Sequence, residues 1–127
     1  MRIGELAKTA QVREKTIRYY ESRELIAPAS REANGYRVYE RRDLDTLIFI
    51  RRCRELGLSL VDIKQLVDVQ ANAEAPCSKV DNIIDQQLDK VRHKLVELKA
   101  LEGTLSGLRG CDGRKVDDCR ILKKLVG

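Results

Sequence analysis

A narrow apolar stripe runs along the second half of the chain. Apolar side chains recur there at steps of three or four residues, and neither Gly nor Pro interrupts residues 78–102. This spacing is typical of a coiled-coil seam and predicts one continuous helix over residues 77–109. Because such a stripe would stay exposed in a monomer, we expect two chains to pair along it. Its members are Val80, Ile84, Leu88, Val91, Leu95, Leu98, Leu105 and Leu108.

Two shorter helices are predicted at the start of the chain, over residues 3–9 and 13–22. Their shared core would contain Ile3, Leu6, Ala7, Val12, Ile17 and Tyr20. Their outer side would carry Arg13, Lys15, Thr16, Arg18 and Tyr19. A helix-turn-helix presents such cationic, hydroxyl and aromatic groups to a DNA major groove from the second of two braced helices. A helical hairpin without a DNA function is the alternative on these residues alone.

Residues 25–40 lose the helical periodicity and predict a β-hairpin. Asn34 and Gly35 form the strongest short hairpin signal, since both residue types readily adopt a positive φ. The flanking stretches, Ser30-Arg31 and Tyr36-Arg37-Val38-Tyr39, are expected to hold Arg and Tyr against a phosphate backbone. The first part of the chain is therefore predicted to be a winged helix-turn-helix domain.

Two further helices follow. The core face of segment 41–56 would consist of Leu47, Phe49, Ile50, Cys53 and Leu56. At this spacing Cys53 is expected to be a buried core thiol. Gly57 ends the segment, and Ser59 with Asp62 three residues later predicts the capped start of the next helix. Ser78 and Asp81 repeat that relation at the start of the long helix.

The pattern predicts a mainly α fold in four parts. They are a winged helix-turn-helix domain with connecting helices (1–69), a linker (70–76), the dimerisation helix (77–109) and a terminal loop with a short helix (110–127). No basic-then-apolar leader and no long apolar run appears, so we expect a cytoplasmic protein without membrane contact. No catalytic motif appears either, and His93 is expected to be a solvated helix residue. An enzymatic function is not expected.

Charge supports a nucleic-acid partner for the first part. Residues 1–54 hold 13 Lys and Arg against 8 Asp and Glu, a surplus of five, whereas residues 55–127 hold 12 of each. The whole net charge of +5 therefore lies where the helix-turn-helix is predicted. A merely solvated surface is the alternative on charge alone.

Five motifs together resemble MerR-type transcriptional regulators over essentially the whole length. They are Ile3-Gly4-Glu5-Leu6-Ala7, Thr16-Ile17-Arg18-Tyr19-Tyr20-Glu21, Asn34-Gly35-Tyr36-Arg37-Val38-Tyr39, Phe49-Ile50-Arg51 and Leu56-Gly57-Leu58-Ser59-Leu60. The resemblance implies an antiparallel-coiled-coil homodimer that binds a palindromic operator in double-stranded promoter DNA. On binding its effector, the dimer would distort the promoter so that RNA polymerase can read it.

The resemblance also implies which residues contact DNA. The recognition helix would present Lys15, Thr16, Arg18, Tyr19 and Tyr20. The phosphate backbone would be gripped by Arg31, Tyr36, Arg37 and Arg54.

Three cysteines flank the long helix. Cys77 stands at its start, and Cys111 and Cys119 lie just past its end. A helix of thirty-odd residues spans about 50 Å, so only an antiparallel partner would bring Cys77 of one subunit beside Cys111 and Cys119 of the other. Two cysteines eight positions apart are alone a weak metal signal. The chain resembles the metal-sensing branch of the family, and cysteine at position 77 implies a divalent effector: zinc, cadmium, lead or mercury.

Charge is consistent with a third thiolate. Two thiolates around a monovalent ion and three around a divalent ion both leave a net charge of about −1 in a buried pocket. Two alternatives remain open from the residues. One is a thiol-redox-sensing regulator with a disulfide between Cys111 and Cys119, and the other is a zinc-stapled protein-interaction module.

Overall fold

The computed structural model describes residues 1–110, 115–116 and 119–126. Within them the chain is mainly helical, as predicted. In chain order the elements are α1 (Ile3–Ala10), α2 (Glu14–Ser22), β1 (Ser30–Arg31), β2 (Arg37–Val38), α3 (Arg41–Glu55), α4 (Leu60–Gln70), α5 (Ser78–Leu108) and α6 (Arg120–Val126). The chain divides into two compact units, residues 1–84 and 85–127.

The first unit begins with the expected helix-turn-helix. Helices α1 and α2 are joined at Gln11, whose φ of 58° is in the left-handed region. Leu6 and Ile17 are fully buried and share one core with residues of α3, which confirms the apolar face predicted for both helices. The burial of Ile17 leaves Lys15, Arg18 and Tyr19 of α2 exposed, where a recognition helix has to present its polar side chains.

The wing is a short antiparallel hairpin with a longer connection than predicted. Ser30 pairs with Val38, and Arg31 pairs with Arg37. Gly35 has a φ of 85°, but Asn34 has a negative φ, so the turn with positive φ at both central residues is wrong. The reason is local: the Asn34 Oδ1 accepts a hydrogen bond from the Tyr36 N–H, which closes an Asx-type turn instead.

The end of α3 departs from the predicted core face. Leu56 is exposed rather than buried, because α3 ends at Glu55 and Gly57 turns the chain with a φ of 80°. The fully buried side chain at this point is Leu58. The buried position of Cys53 is confirmed, and burial raises the pKa of its thiol.

Helix starts in the first unit are capped in two ways. Glu40 and Asp43 form a reciprocal capping box at the start of α3, which the sequence analysis did not identify. The hydroxyl of Ser59 accepts a hydrogen bond from the Asp62 N–H at 3.2 Å and confirms the predicted cap of α4.

Helix α5 is continuous, as predicted, and runs through Gly103 to Leu108. The Cys77 carbonyl accepts the first intrahelical hydrogen bond, from the Asp81 N–H. Cys77 therefore occupies the N-cap position, and the predicted cap at Ser78 is wrong because Ser78 is already the first helical residue. In its first turns α5 packs Ile83 into the core of the first unit.

The second unit contains the rest of α5 and the short helix α6. Leu122 and Leu125 of α6 are exposed. His93 is exposed, as expected, and its Nε2 lies 3.0 Å from Oε1 of Glu97. Among the described residues, every helix is too short or too polar to cross a membrane.

Candidate nucleic-acid interface and thiol positions

The outward face of α2 carries most of the predicted recognition residues. Lys15, Arg18 and Tyr19 are exposed, and Thr16 is half-buried. Arg18 lies 3.7 Å from Glu14, one turn earlier on the same helix. Tyr20, which was predicted both for the core and for DNA contact, packs partly against the hydrophobic core. Four of the five predicted side chains are therefore accessible to a DNA groove, whereas Tyr20 packs on the opposite, core-facing side of α2.

The wing presents its basic residues on the same unit. Arg31 and Tyr36 are exposed, and Nη1 of Arg31 donates to the Gly35 carbonyl across the hairpin at 3.1 Å. The guanidinium of Arg2 lies over the Tyr36 ring, 4.3 Å from its centre, and pairs with Glu32 at 3.4 Å. Sequence reasoning missed Arg2, because a single basic residue ahead of the first helix has no periodic signal.

Four arginines surround one groove between the start of α1, the recognition helix and the wing. They are Arg2, Arg18, Arg31 and Arg37. Guanidinium groups converging on one groove favour the binding of phosphate oxygens, which they contact with paired hydrogen bonds. Gly4 also lines this groove, and an added Cβ there would lie 3.3 Å from the Glu14 carboxylate.

A half-buried carboxylate, that of Glu21, connects the recognition helix to the wing. Oε2 of Glu21 accepts from Nη1 of Arg37 at 2.8 Å and from the Tyr39 hydroxyl at 3.4 Å, and its Oε1 accepts from the Ala29 N–H at 2.6 Å. Sequence reasoning missed the role of Glu21, although the residue stands in a family motif. Its partners are 8 to 18 residues away along the chain, so no local spacing reveals them.

Tyr39 corrects the predicted wing surface. It was expected to face a phosphate backbone, but it is fully buried, and its N–H donates to the Met1 carbonyl at 2.6 Å. Burial raises the pKa of Tyr39 above its ordinary value of 10.0, so the hydroxyl stays protonated and donates to Glu21. Tyr39 follows the end of β2 and lies in the core, whereas Arg37, within β2, is half-buried and pairs with Glu21.

Arg54 lies at the end of α3, outside the groove of the four arginines. Its side chain is exposed, and its Nη1 donates to the Leu58 carbonyl at 2.8 Å. This hydrogen bond fixes the turn between α3 and α4. Its contact with DNA stays a prediction.

The cysteines of the predicted metal set occupy different environments. Cys77 is exposed at the start of α5, and Cys119 is buried directly ahead of α6. Cys111 lies outside the described residues. In the described part of the chain, no three His, Cys, Asp or Glu side chains gather as a metal-binding group. Across the intervening segment, Nη2 of Arg120 donates to the Arg109 carbonyl at 3.0 Å and joins the start of α6 to the end of α5.

Comparison with protein families identifies the chain. The profile described as MerR HTH family regulatory protein matches residues 1–70, and the profile described as MerR, DNA binding matches residues 44–108. The chain belongs to the MerR family. Members of the MerR family are DNA-binding transcriptional regulators and not enzymes, which agrees with the expectation from the sequence.

MerR-family relatives match over almost the full length. PbrR691 from Ralstonia metallidurans CH34, solved in complex with lead(II), is 40% identical with a TM-score of 0.88 and covers 98% of both chains. MerR from Bacillus megaterium MB1, solved in complex with mercury(II), is 33% identical with a TM-score of 0.76 and covers 100% of both chains. Heavy metal-dependent transcription regulator 2 of Rhizobium meliloti is 36% identical over 99% of this chain and 86% of that protein.

Proposed function

We propose that this protein is a homodimeric transcription activator that responds to a divalent soft metal ion. Two copies would pair through α5 as an antiparallel coiled coil and bind a palindromic promoter operator. On binding cadmium, lead, zinc or mercury, the dimer would distort the DNA so that RNA polymerase reads the promoter. RNA polymerase would be a partner only through that DNA.

The observation that carries the proposal is the exposed apolar stripe of α5. Leu88, Val91 and Leu95 are large apolar side chains that face solvent in the single chain. Exposed apolar surface on this scale marks an interaction site. A second copy of the same helix supplies a matching apolar surface, and two copies place two recognition helices on two half-sites.

The donor set supports a divalent soft ion. Cys77, Cys111 and Cys119 are thiols, and thiolates prefer cadmium, lead and mercury over hard cations. Cys77 is exposed, so it is accessible to a partner subunit, whereas Cys119 is buried. Relatives whose structures contain lead(II) or mercury(II) favour the same class of ion. Zinc would need a fourth ligand.

The decisive experiment is Cys77→Ser, assayed for metal response and for DNA binding. A hydroxyl is a poor ligand for a soft ion, so we expect the response to cadmium, lead, zinc and mercury to weaken about a hundredfold or more. Operator binding should persist, because Ser is favourable at an N-cap position. Cys53→Ser is the matched control, and it should lower stability without changing metal preference. An unchanged metal response in Cys77→Ser would exclude the three-thiolate site.

A mixed dimer tests whether the site crosses the subunits. One subunit lacks Cys77, and the other lacks Cys111 and Cys119. A crossed arrangement retains one complete site in this dimer, and a site within one subunit is destroyed in both halves. Loss of all divalent-metal binding from the mixed dimer would contradict the crossed site, while metal retained at half stoichiometry supports it.

A further inference from the structure

Three of the four arginines of the groove have acidic partners, and these partners differ in burial. The pairs are Arg2 with Glu32, Arg18 with Glu14, and Arg37 with Glu21. The Glu32 and Glu14 side chains are 43% and 46% exposed, whereas that of Glu21 is only 12% exposed. Exposed ion pairs contribute little and exchange partners readily, and a charged hydrogen bond to a less exposed carboxylate holds its geometry better. The Arg37 pair is therefore the one that can fix an arginine in place.

Glu21, in the last turn of the recognition helix, contacts the residue ahead of β1 and the side chain of a residue in β2. Its Oε1 accepts from the Ala29 N–H immediately before β1, and its Oε2 accepts from Arg37 in β2. The Tyr39 hydroxyl donates to the same Oε2 from the end of the hairpin. The orientation of the Arg37 guanidinium relative to the recognition helix is thereby set by one carboxylate.

We propose that Glu21 is a positioning residue for DNA binding. Its carboxylate holds the Arg37 guanidinium in the orientation that contacts a DNA phosphate from the wing while the recognition helix occupies the groove. The inference rests on the proposed DNA-binding function. It adds to the DNA-binding residues one, Glu21, whose negative charge would by itself repel DNA. Simple electrostatics predicts that removing the negative charge of Glu21 strengthens binding. Positioning predicts that removing it weakens binding, so the two effects can be separated.

The test is Glu21→Gln, measured on a duplex that the wild-type protein selects from a randomised pool. Gln keeps an acceptor for the Ala29 N–H but places an N–H₂ group against Arg37, where two donors cannot pair. We expect about tenfold weaker binding and a salt dependence flatter by about 0.9 in slope, as for the loss of one phosphate contact. The matched control is Glu14→Gln, which removes the same charge from an exposed pair on the same helix and should bind unchanged or tighter.

A double-mutant comparison separates positioning from a purely structural role. If Glu21 acts through Arg37, Glu21→Gln in an Arg37→Ala background should cost no further affinity. The same loss in both backgrounds would show that Glu21 supports only the fold, and binding by Glu21→Gln as tight as by Glu14→Gln would show that charge alone matters. Either result overturns the proposal.

Arg37→Lys keeps the experiment informative if Glu21→Gln folds poorly. It retains the positive charge and the Glu21 carboxylate but lacks the planar fork of arginine. We expect Arg37→Lys to melt like the wild type and to lose most of the affinity that Arg37→Ala loses. Wild-type affinity in Arg37→Lys would overturn the proposal. Failure of the wild-type protein to select any duplex would instead reject the proposed function itself.

Discussion

The two units of the chain differ in how they bury apolar surface. Residues 1–84 enclose one hydrophobic core that draws on α1, α2, α3, α4 and the first turns of α5. Among the described residues after Ile84, Cys119 is the only one that is buried. Since burial of apolar surface is the main stabilising contribution to folding, the first unit contains its own source of stability and the second does not.

The difference indicates where a partner is needed. A helix of 31 residues with an exposed apolar stripe gains little from intrinsic propensity, because most helical stability in proteins comes from packing. The second unit should therefore acquire its stability from a second copy, and the DNA-binding unit should fold without one. The dimer would then be required for operator recognition and not for the shape of each recognition helix.

The largest expected effect is that of a charge within the stripe. Leu95→Asp should weaken dimerisation by about a hundredfold or more and abolish operator binding, because an unpaired carboxylate would be buried in each half of the seam. Val96→Asp is the matched control, since Val96 is the neighbouring exposed apolar residue but lies off the stripe. Light scattering distinguishes the two variants. A Leu95→Asp protein that keeps its dimer mass would contradict pairing along α5.

Two adjacent residues of α5, next to the boundary between the units, differ in exposure. Ile83 is 5% exposed and Ile84 is 43% exposed, although they are adjacent on one helix. Ile83→Ala should lower the free energy of unfolding by about 2 to 5 kcal/mol at any protein concentration, since it leaves a cavity in the first core. Ile84→Ala should destabilise strongly at high protein concentration and little at low concentration, because the stabilisation that it removes comes from association. Urea unfolding at two protein concentrations measures both effects. Identical concentration dependence in the two variants would contradict the assignment of Ile83 to the core and of Ile84 to the dimer contact.

Thiol reactivity should differ between Cys53, inside the first unit, and Cys77, at the start of α5. Burial raises the pKa of Cys53, so at a given pH this thiol is less often the reactive thiolate than an ordinary cysteine. In folded, metal-free protein we expect Cys77 to be alkylated about a hundredfold faster than Cys53 between pH 7 and 8, given the access of reagent to an exposed thiol. Mass spectrometry after peptide digestion gives both rates. Equal rates would mean that the first core opens readily.

The spacing of apolar residues predicted the helices, but it did not predict contacts between segments that are far apart along the chain. The helix spacing predicted α5, and the apolar pattern predicted the shared core of Leu6 and Ile17, because both depend on neighbours three or four residues apart. Tyr39 and Leu56 were misplaced, since one is buried by the chain terminus and the other is turned out by the helix end at Gly57. The role of Glu21 depends on a tertiary hydrogen-bond network that no local spacing encodes.

The smallest predicted effect compares two helix starts with the same Ser-x-Val-Asp pattern. Ser59-Leu60-Val61-Asp62 and Ser78-Lys79-Val80-Asp81 both follow the capping pattern, but only Ser59 caps its helix with its side chain. Ser59→Ala should therefore cost about 1 kcal/mol of stability. Ser78→Ala should cost almost nothing, because Ser78 is exposed at the first helical position and the cap is Cys77. Thermal unfolding of the two variants measures the difference. Should both substitutions cost the same, α5 would begin one residue later than described, and Cys77→Ser would no longer place a favourable residue at the N-cap.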